Sequence, residues 1–235
     1  MNDCRLGVLA FGDSITNGGG ELQWGVALQS WALWLARGLG LPYTPHASDG
    51  ARVPDVLAAQ LPAVGDGRYD LGCLYVGVND VRQLDWDRTA FERGHATALG
   101  FLAERCDRVL TATVPLDLGR PRAGAKVQEV NAAIEASARG AGALVLDLRG
   151  FGGRSLVMAD HVHPTAFGQI AIAERALDLL AAQGMPVRVR PSSLIHYETT
   201  RVGRLRGDLT YAYRHAKVSA RAAFLAARPG RSRAA

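Results

Sequence analysis

A serine hydroxyl is a weak nucleophile until a nearby base takes its proton, and the base works best when an acid fixes its orientation. The 235-residue sequence holds all three kinds of residue. Ser14 lies in Gly12-Asp13-Ser14, directly behind a short apolar run, while Asp160 and His163 stand three apart in Asp160-His161-Val162-His163-Pro164. At that spacing a carboxylate and an imidazole meet on one turn, which leaves the second ring nitrogen free for Ser14. An oxyanion formed by attack on a carbonyl needs N–H donors. Asn79, in Gly77-Val78-Asn79-Asp80, offers a side-chain amide, and Gly50 and Ser14 offer backbone N–H groups. The chemistry these types suit is acyl transfer through a covalent intermediate. Each cluster is weak evidence alone, because Gly-Asp-Ser and Gly-x-Asn-Asp are ordinary turn sequences and Asp-x-x-His also occurs as a helix cap or half of a metal site.

Their positions along the chain strengthen them. Five apolar runs, Leu6 to Phe11, Tyr43 to Ala47, Leu71 to Val76, Val109 to Val114 and Leu144 to Leu148, read as buried strands bounded by Gly, Pro, Asp or Asn. Amphipathic stretches at 27–37, 52–60, 89–105, 126–139 and 166–182 alternate with them. Strand and helix in alternation predict a flavodoxin-like three-layer α/β/α fold with a parallel five-stranded sheet in the order 2-1-3-4-5. In such a sheet a site forms beyond the carboxyl ends of the strands. The Ser14 and Asn79 clusters follow the first and third strands, and the His163 cluster precedes the last helix.

In this order the clusters resemble those of the SGNH hydrolases, the superfamily of GDSL-type esterases and lipases. Gly12-Asp13-Ser14 matches the first block, Gly50 the second, Gly77-x-Asn79-Asp80 the third and Asp160-x-x-His163-Pro164 the fifth, over about residues 5–183. One departure is Ile15 where the family has leucine, a volume-conserving change. The resemblance implies Ser14 as nucleophile, His163 as base, Asp160 as its orienter, and Ser14, Gly50 and Asn79 as the oxyanion hole. It implies a serine esterase acting on small-molecule carboxylic esters, with no cofactor and no metal. An acyltransferase or thioesterase would use the same site. A third reading is a binding protein that its basic tail recruits to anionic membrane or nucleic acid.

Other features bear on substrate. Asp13, Trp24, Arg52 and Arg82 are candidate substrate contacts: Trp24 for an acyl or alcohol pocket, the arginines for a carboxylate or phosphate, with solvated surface roles as their alternative. Trp31 and Trp34 share a helical face with Leu28 and Leu35 and read as core. Gly18-Gly19-Gly20 fits neither dinucleotide nor P-loop patterns and reads as a flexible rim loop. His161 and His163 lack further metal ligands, so His161 reads as a wall or hydrogen-bonded structural residue.

Composition sets the frame. With 48% hydrophobic and 21% charged residues, the chain is a globular protein. Apolar stretches stop well short of the roughly 20 residues a spanning helix needs. No signal peptide is evident at the start, and three cysteines at 4, 73 and 106 suit reduced packing thiols, so a cytoplasmic protein is expected. The net charge of +5 is unevenly spread: residues 186–235 hold 11 of 27 basic residues and 2 of 22 acidic ones. This predicts a hydrolase domain over 1–185 and a basic extension over 186–235. The extension is read as a helix from about 208 to 228, capped by Asp208 and ended by Pro229-Gly230, with an alanine-rich apolar stripe; Arg231–Ala235 are expected to be disordered. Its candidate contacts are an anionic membrane, the body or a second subunit, with nucleic acid disfavoured and the oligomeric state open.

Overall fold

The structure is a computed structural model that describes residues 5–119, 123–197 and 199–227. Cys4, Arg228, the Pro229-Gly230 stop and Arg231–Ala235 lie outside the described residues. Five parallel strands form one sheet: β1 (Val8–Gly12), β2 (Tyr43–Pro45), β3 (Tyr69–Tyr75), β4 (Cys106–Ala112) and β5 (Leu144–Leu146). Their order is β2-β1-β3-β4-β5, the expected one. Helices α1 (Trp31–Leu39) and α5 (Ala166–Ala182) pack together on one face, and α3 (Arg88–Arg105) and α4 (Lys126–Ala141) on the other. Because both faces are covered, β1 is buried along its whole length, as a parallel strand flanked by two helical layers must be.

Local chemistry fixes the helix boundaries. α1 starts four residues later than its apolar pattern suggests, because Ser30 caps it by accepting from the Ala32 N–H. Asp87 caps α3 through Thr89 and Ala90, and Thr165 caps α5 through Gly168. The stretch expected as one helix over 52–60 is a short α2 (Val53–Asp55) that runs into a π-helical turn, Val56–Gln60. Trp31 and Trp34 are core, as their spacing indicates.

The order of the strands reverses at β1, so its carboxyl end, paired with β3 through Gly12 and Tyr75, is the point where loops diverge and a ligand is accommodated. Gly12 holds φ +154°, and a Cβ there would come within 2.4 Å of the Tyr75 carbonyl oxygen. Only glycine allows the two strand ends to approach so closely.

After α5 the chain turns back along the body. Arg188 and Val189 donate to the Gly38 carbonyl, Ser192 N–H donates to Glu174, and Arg190 pairs with Asp178. Helix α6 then runs from Arg201 to Ala227, seven residues longer at its start than the sequence pattern suggests. Thr200 accepts from the Gly203 N–H, which is where the cap lies. Asp208, expected as the cap, is inside the helix and pairs with Arg154 instead. None of the described helices is long and apolar enough to cross a membrane.

Candidate active site

The β1–α1 loop carries Ser14, and two buried amides shape it. Gln60, from the π-helical turn, accepts from the Gly12 N–H and donates to the Gly12 carbonyl and Ser48 Oγ. Gln169, on α5, donates to the carbonyls of Ile15 and Gly19 and accepts from the Trp31 N–H. A third link runs from the Trp31 indole N–H to Thr16. Gly18-Gly19-Gly20, expected as a flexible rim, is therefore a packed segment: Gly19 N–H donates to the Ser14 carbonyl, and a Cβ on Gly20 would come within 2.0 Å of the Pro164 oxygen. That close approach knits the serine loop to the histidine loop.

The histidine loop, 157–165, closes on itself through Met158 N–H to the His163 carbonyl. Asp160 Oδ1 accepts from the Val162 and His163 N–H groups, so the carboxylate is fixed before it meets the ring. Its other oxygen lies 2.7 Å from His163 Nδ1, and His163 Nε2 lies 3.0 Å from Ser14 Oγ. The three residues expected to act together thus form one hydrogen-bonded chain across 149 residues of sequence.

Electrostatics follow from these contacts. Hydrogen bonding to Asp160 raises the His163 pKa above its ordinary value, against the opposing effect of partial burial. The charge of Asp160 and, further off, of Asp13 adds to the rise, and Arg82 opposes it. Burial is the largest influence on Asp160 and pushes its carboxyl up, but the bonds from His163 and from two backbone N–H groups outweigh it and leave it below the usual range.

On the opposite rim, Asn79 Nδ2 donates to the Ala51 carbonyl at 3.1 Å, tying the third block to the residue after Gly50. Asn17 Nδ2 donates to Asp49 and joins that turn to the serine loop. Gly50 holds φ +74°. Among the described residues, neither the Ser14 nor the Gly50 N–H donates within the protein, and one hydrogen of the Asn79 amide is also uncommitted.

The candidate substrate contacts divide. Arg82 is exposed and stands by the histidine loop; a Cβ on Gly119 would approach its guanidinium to 2.6 Å and Val162 to 3.2 Å. Asp13, offered as a substrate contact, is fully buried and has no surface to present. Its Oδ1 accepts from the Ile15 N–H, its Oδ2 has no partner, and burial pushes its pKa up to about 7. Trp24 packs on Phe167 and stacks on Tyr197 at 6.0 Å, so the loop turns its ring toward the start of the extension. Arg52 pairs with Asp55 and lines a cleft of about 510 Å³ with Asp80, Trp86 and Phe91. His161 is the hydrogen-bonded structural residue expected, 2.8 Å from Asp117.

Gln60 and Gln169 carry no motif in the sequence. A lone amide on an otherwise apolar helical face is the only trace they leave.

A parallel α/β sheet carrying a Ser-His-Asp chain at its switch point defines a serine hydrolase. The model of the GDSL-like lipase/acylhydrolase family matches residues 10–170, and the chain belongs to that family, whose members act on esters. Solved structures agree in fold. A lipolytic G-D-S-L protein from Veillonella parvula is 22% identical, with a TM-score of 0.57 over 74% of this chain and 98% of that one. The extracellular lipase of Streptomyces rimosus is 22% identical, with a TM-score of 0.56 over 75% and 98%. The acetylxylan esterase of Geobacillus stearothermophilus is 19% identical, with a TM-score of 0.59 over 81% and 100%. Among curated proteins none matches the chain in sequence.

Proposed function

We propose that the chain hydrolyses carboxylic esters through an acyl-enzyme on Ser14. The observation that carries this is the unbroken hydrogen-bonded path from Ser14 Oγ through both nitrogens of His163 to Asp160. With the Nδ1 proton held by Asp160, Nε2 carries the lone pair and takes the Ser14 proton as Oγ attacks the acyl carbon. Negative charge then moves to the carbonyl oxygen. The uncommitted N–H groups of Ser14, Gly50 and Asn79 are its donors, and they need no rearrangement because the Asn79–Ala51 bond already orients the amide. Collapse of the tetrahedral intermediate breaks the ester C–O bond, and the Nε2 proton leaves on the alcohol. Water, deprotonated by the same nitrogen, repeats the sequence and releases the acid.

Arg82 stands where it would meet an anionic group on the substrate, because it makes no ion pair among the described residues and its charge reaches His163. The test is hydrolysis of p-nitrophenyl esters from acetyl to long acyl chains, comparing the protein with Ser14→Ala. Turnover that falls by about 10⁴-fold or more in the variant is the expected result. Equal turnover in the two proteins would overturn the assignment of Ser14.

A further inference from the structure

Helix α6 presents its polar side to the body and its apolar side to solvent. The polar side holds Asp208 against Arg154, Arg214 against Glu21, both at 2.5 Å, and the His215 ring against His161. At 100° per residue, Val202, Leu205, Leu209, Tyr213 and Phe224 fall within an arc of about 100° on the opposite side. These five side chains are between 58% and 75% exposed. Val202 and Leu205 precede the helix the sequence suggested, so the stripe is longer and richer in large residues than its alanines imply. Arg206, Lys217 and Arg221 follow one edge of it and Arg201 the other; all four are exposed and form no ion pair among the described residues.

We propose that α6 seats the protein on an anionic lipid surface. An apolar stripe edged with cations matches acyl chains beneath a layer of phosphates, and a helix of 27 residues lying flat presents about 40 Å of such contact. A second copy of the helix fits less well. The only carboxylate on α6, Asp208, is already engaged by Arg154, so paired stripes would set arginines and lysines against one another without relief. Trp24 and Tyr197, stacked and partly exposed beside Gly207, add the amphipathic rings that interfaces favour.

The anchor is also an address. Glu21 bridges to Thr165, and Arg154 and His161 flank Asp160 in sequence, so the three groups that pair with Arg214, Asp208 and His215 lie in or beside the loops that form the site. A lipid-bound α6 therefore sets the site beside the bilayer, and the ester taken is a lipid ester. That last step rests on the esterase reading; the binding does not.

Flotation of the full chain carrying Ser14→Ala, which leaves the lipid uncleaved, separates the two. Vesicles of phosphatidylcholine with and without phosphatidylglycerol are the probes. The expected result is binding that needs phosphatidylglycerol and is lost at high salt. Replacing Arg206, Lys217 and Arg221 by Gln weakens it by roughly a hundredfold, about fivefold per charge. Leu205→Ser with Leu209→Ser abolishes flotation and leaves hydrolysis of a soluble p-nitrophenyl ester unchanged. Absence of binding, or binding that ignores lipid charge and salt, overturns the proposal. So does a dimer in light scattering that the same serine variants split, which would give the stripe to a second copy. Flotation with no esterase activity in the unmutated protein would instead leave α6 as proposed and refute the reading of the site.

Discussion

The Gly12–Gly20 loop and helix α6 both border the site, and they are held by opposite means. In the loop, two buried amides and an indole N–H satisfy backbone and hydroxyl groups where water does not reach. α6 is held by ion pairs whose side chains are between a third and three-fifths exposed. A buried polar group that loses its partner bears its full desolvation cost, whereas an exposed ion pair is replaced by water. Groups that must meet within a few tenths of an ångström are therefore set by the first device. A helix that has only to lie near the mouth tolerates the second.

The sharpest test of this contrast lies within the hydrogen-bonded chain itself. Asp160→Asn preserves the shape but not the charge that orients His163, and kcat is expected to fall by about 10³- to 10⁴-fold with little change in KM. Steady-state kinetics on a soluble ester would show it, and a fall of less than tenfold would mean that His163 is oriented by the loop alone. Next is Gln169→Ala, which strands the Ile15 and Gly19 carbonyls and the Trp31 N–H. Each stranded buried group costs about 1–3 kcal/mol, so the melting temperature and kcat fall together. A variant with unchanged stability and activity would erase the distinction drawn between loop and helix.

The amides also mark where sequence stops being legible. The five strands and their order could be read, because the central strands β1, β3 and β4 are written as nearly continuous apolar runs, and the polar clusters of Ser14, Asn79 and His163 stand out beyond those runs or before the last helix. Gln60 and Gln169 could not: a helix that faces the core looks the same whether one position is amide or alkyl until the carbonyls opposite are known. The sequence neighbours of Trp24 and Arg52 suggest the site rim, yet Tyr197 and Asp55 decide where they sit. At α6, Asp208 has the residue type of a helix cap, and a helix begun there leaves out both the cap at Thr200 and the first two residues of the apolar stripe, Val202 and Leu205.

A smaller effect is expected at Asp13. Its burial raises its pKa from 3.8 to about 7, so the folded state binds the proton more tightly than the unfolded one and loses stability as pH rises from 4 to 7. Asp13→Asn removes this loss: its melting temperature should gain on the parent's as pH rises through that window and hold the difference above it. The variant also lacks a negative charge that raises the His163 pKa. The acid limb of the rate profile, set by deprotonation of His163, should move to lower pH by less than about one unit. His163 itself has the opposite stability sign from a depressed carboxylate. Its raised pKa contributes stability below its ordinary value and loses it as pH rises through the folded value, whereas the contribution of Asp160 is lost as pH falls. An unshifted acid limb in Asp13→Asn would show that Asp13 is electrically remote from the site.

The smallest effect is at the helix. Glu21→Gln removes the partner of Arg214, an exposed pair worth about 1 kcal/mol at most, and turnover of a soluble ester should change less than twofold. A large loss of turnover would break the comparison, because it would make α6 part of the machinery.

The ring that meets Ser14 follows it in the chain by 149 positions. Gly20 closes on Pro164, so the two ends of the path lock together only once the sheet between them is complete. On the proposed mechanism, a nascent chain holds its hydroxyl without a base until β5 and the loop beyond it have emerged. Enzymatic activity is for this reason a late reporter of folding: in refolding it should lag behind the burial of Trp31, and the lag is the time taken to bring residue 163 home.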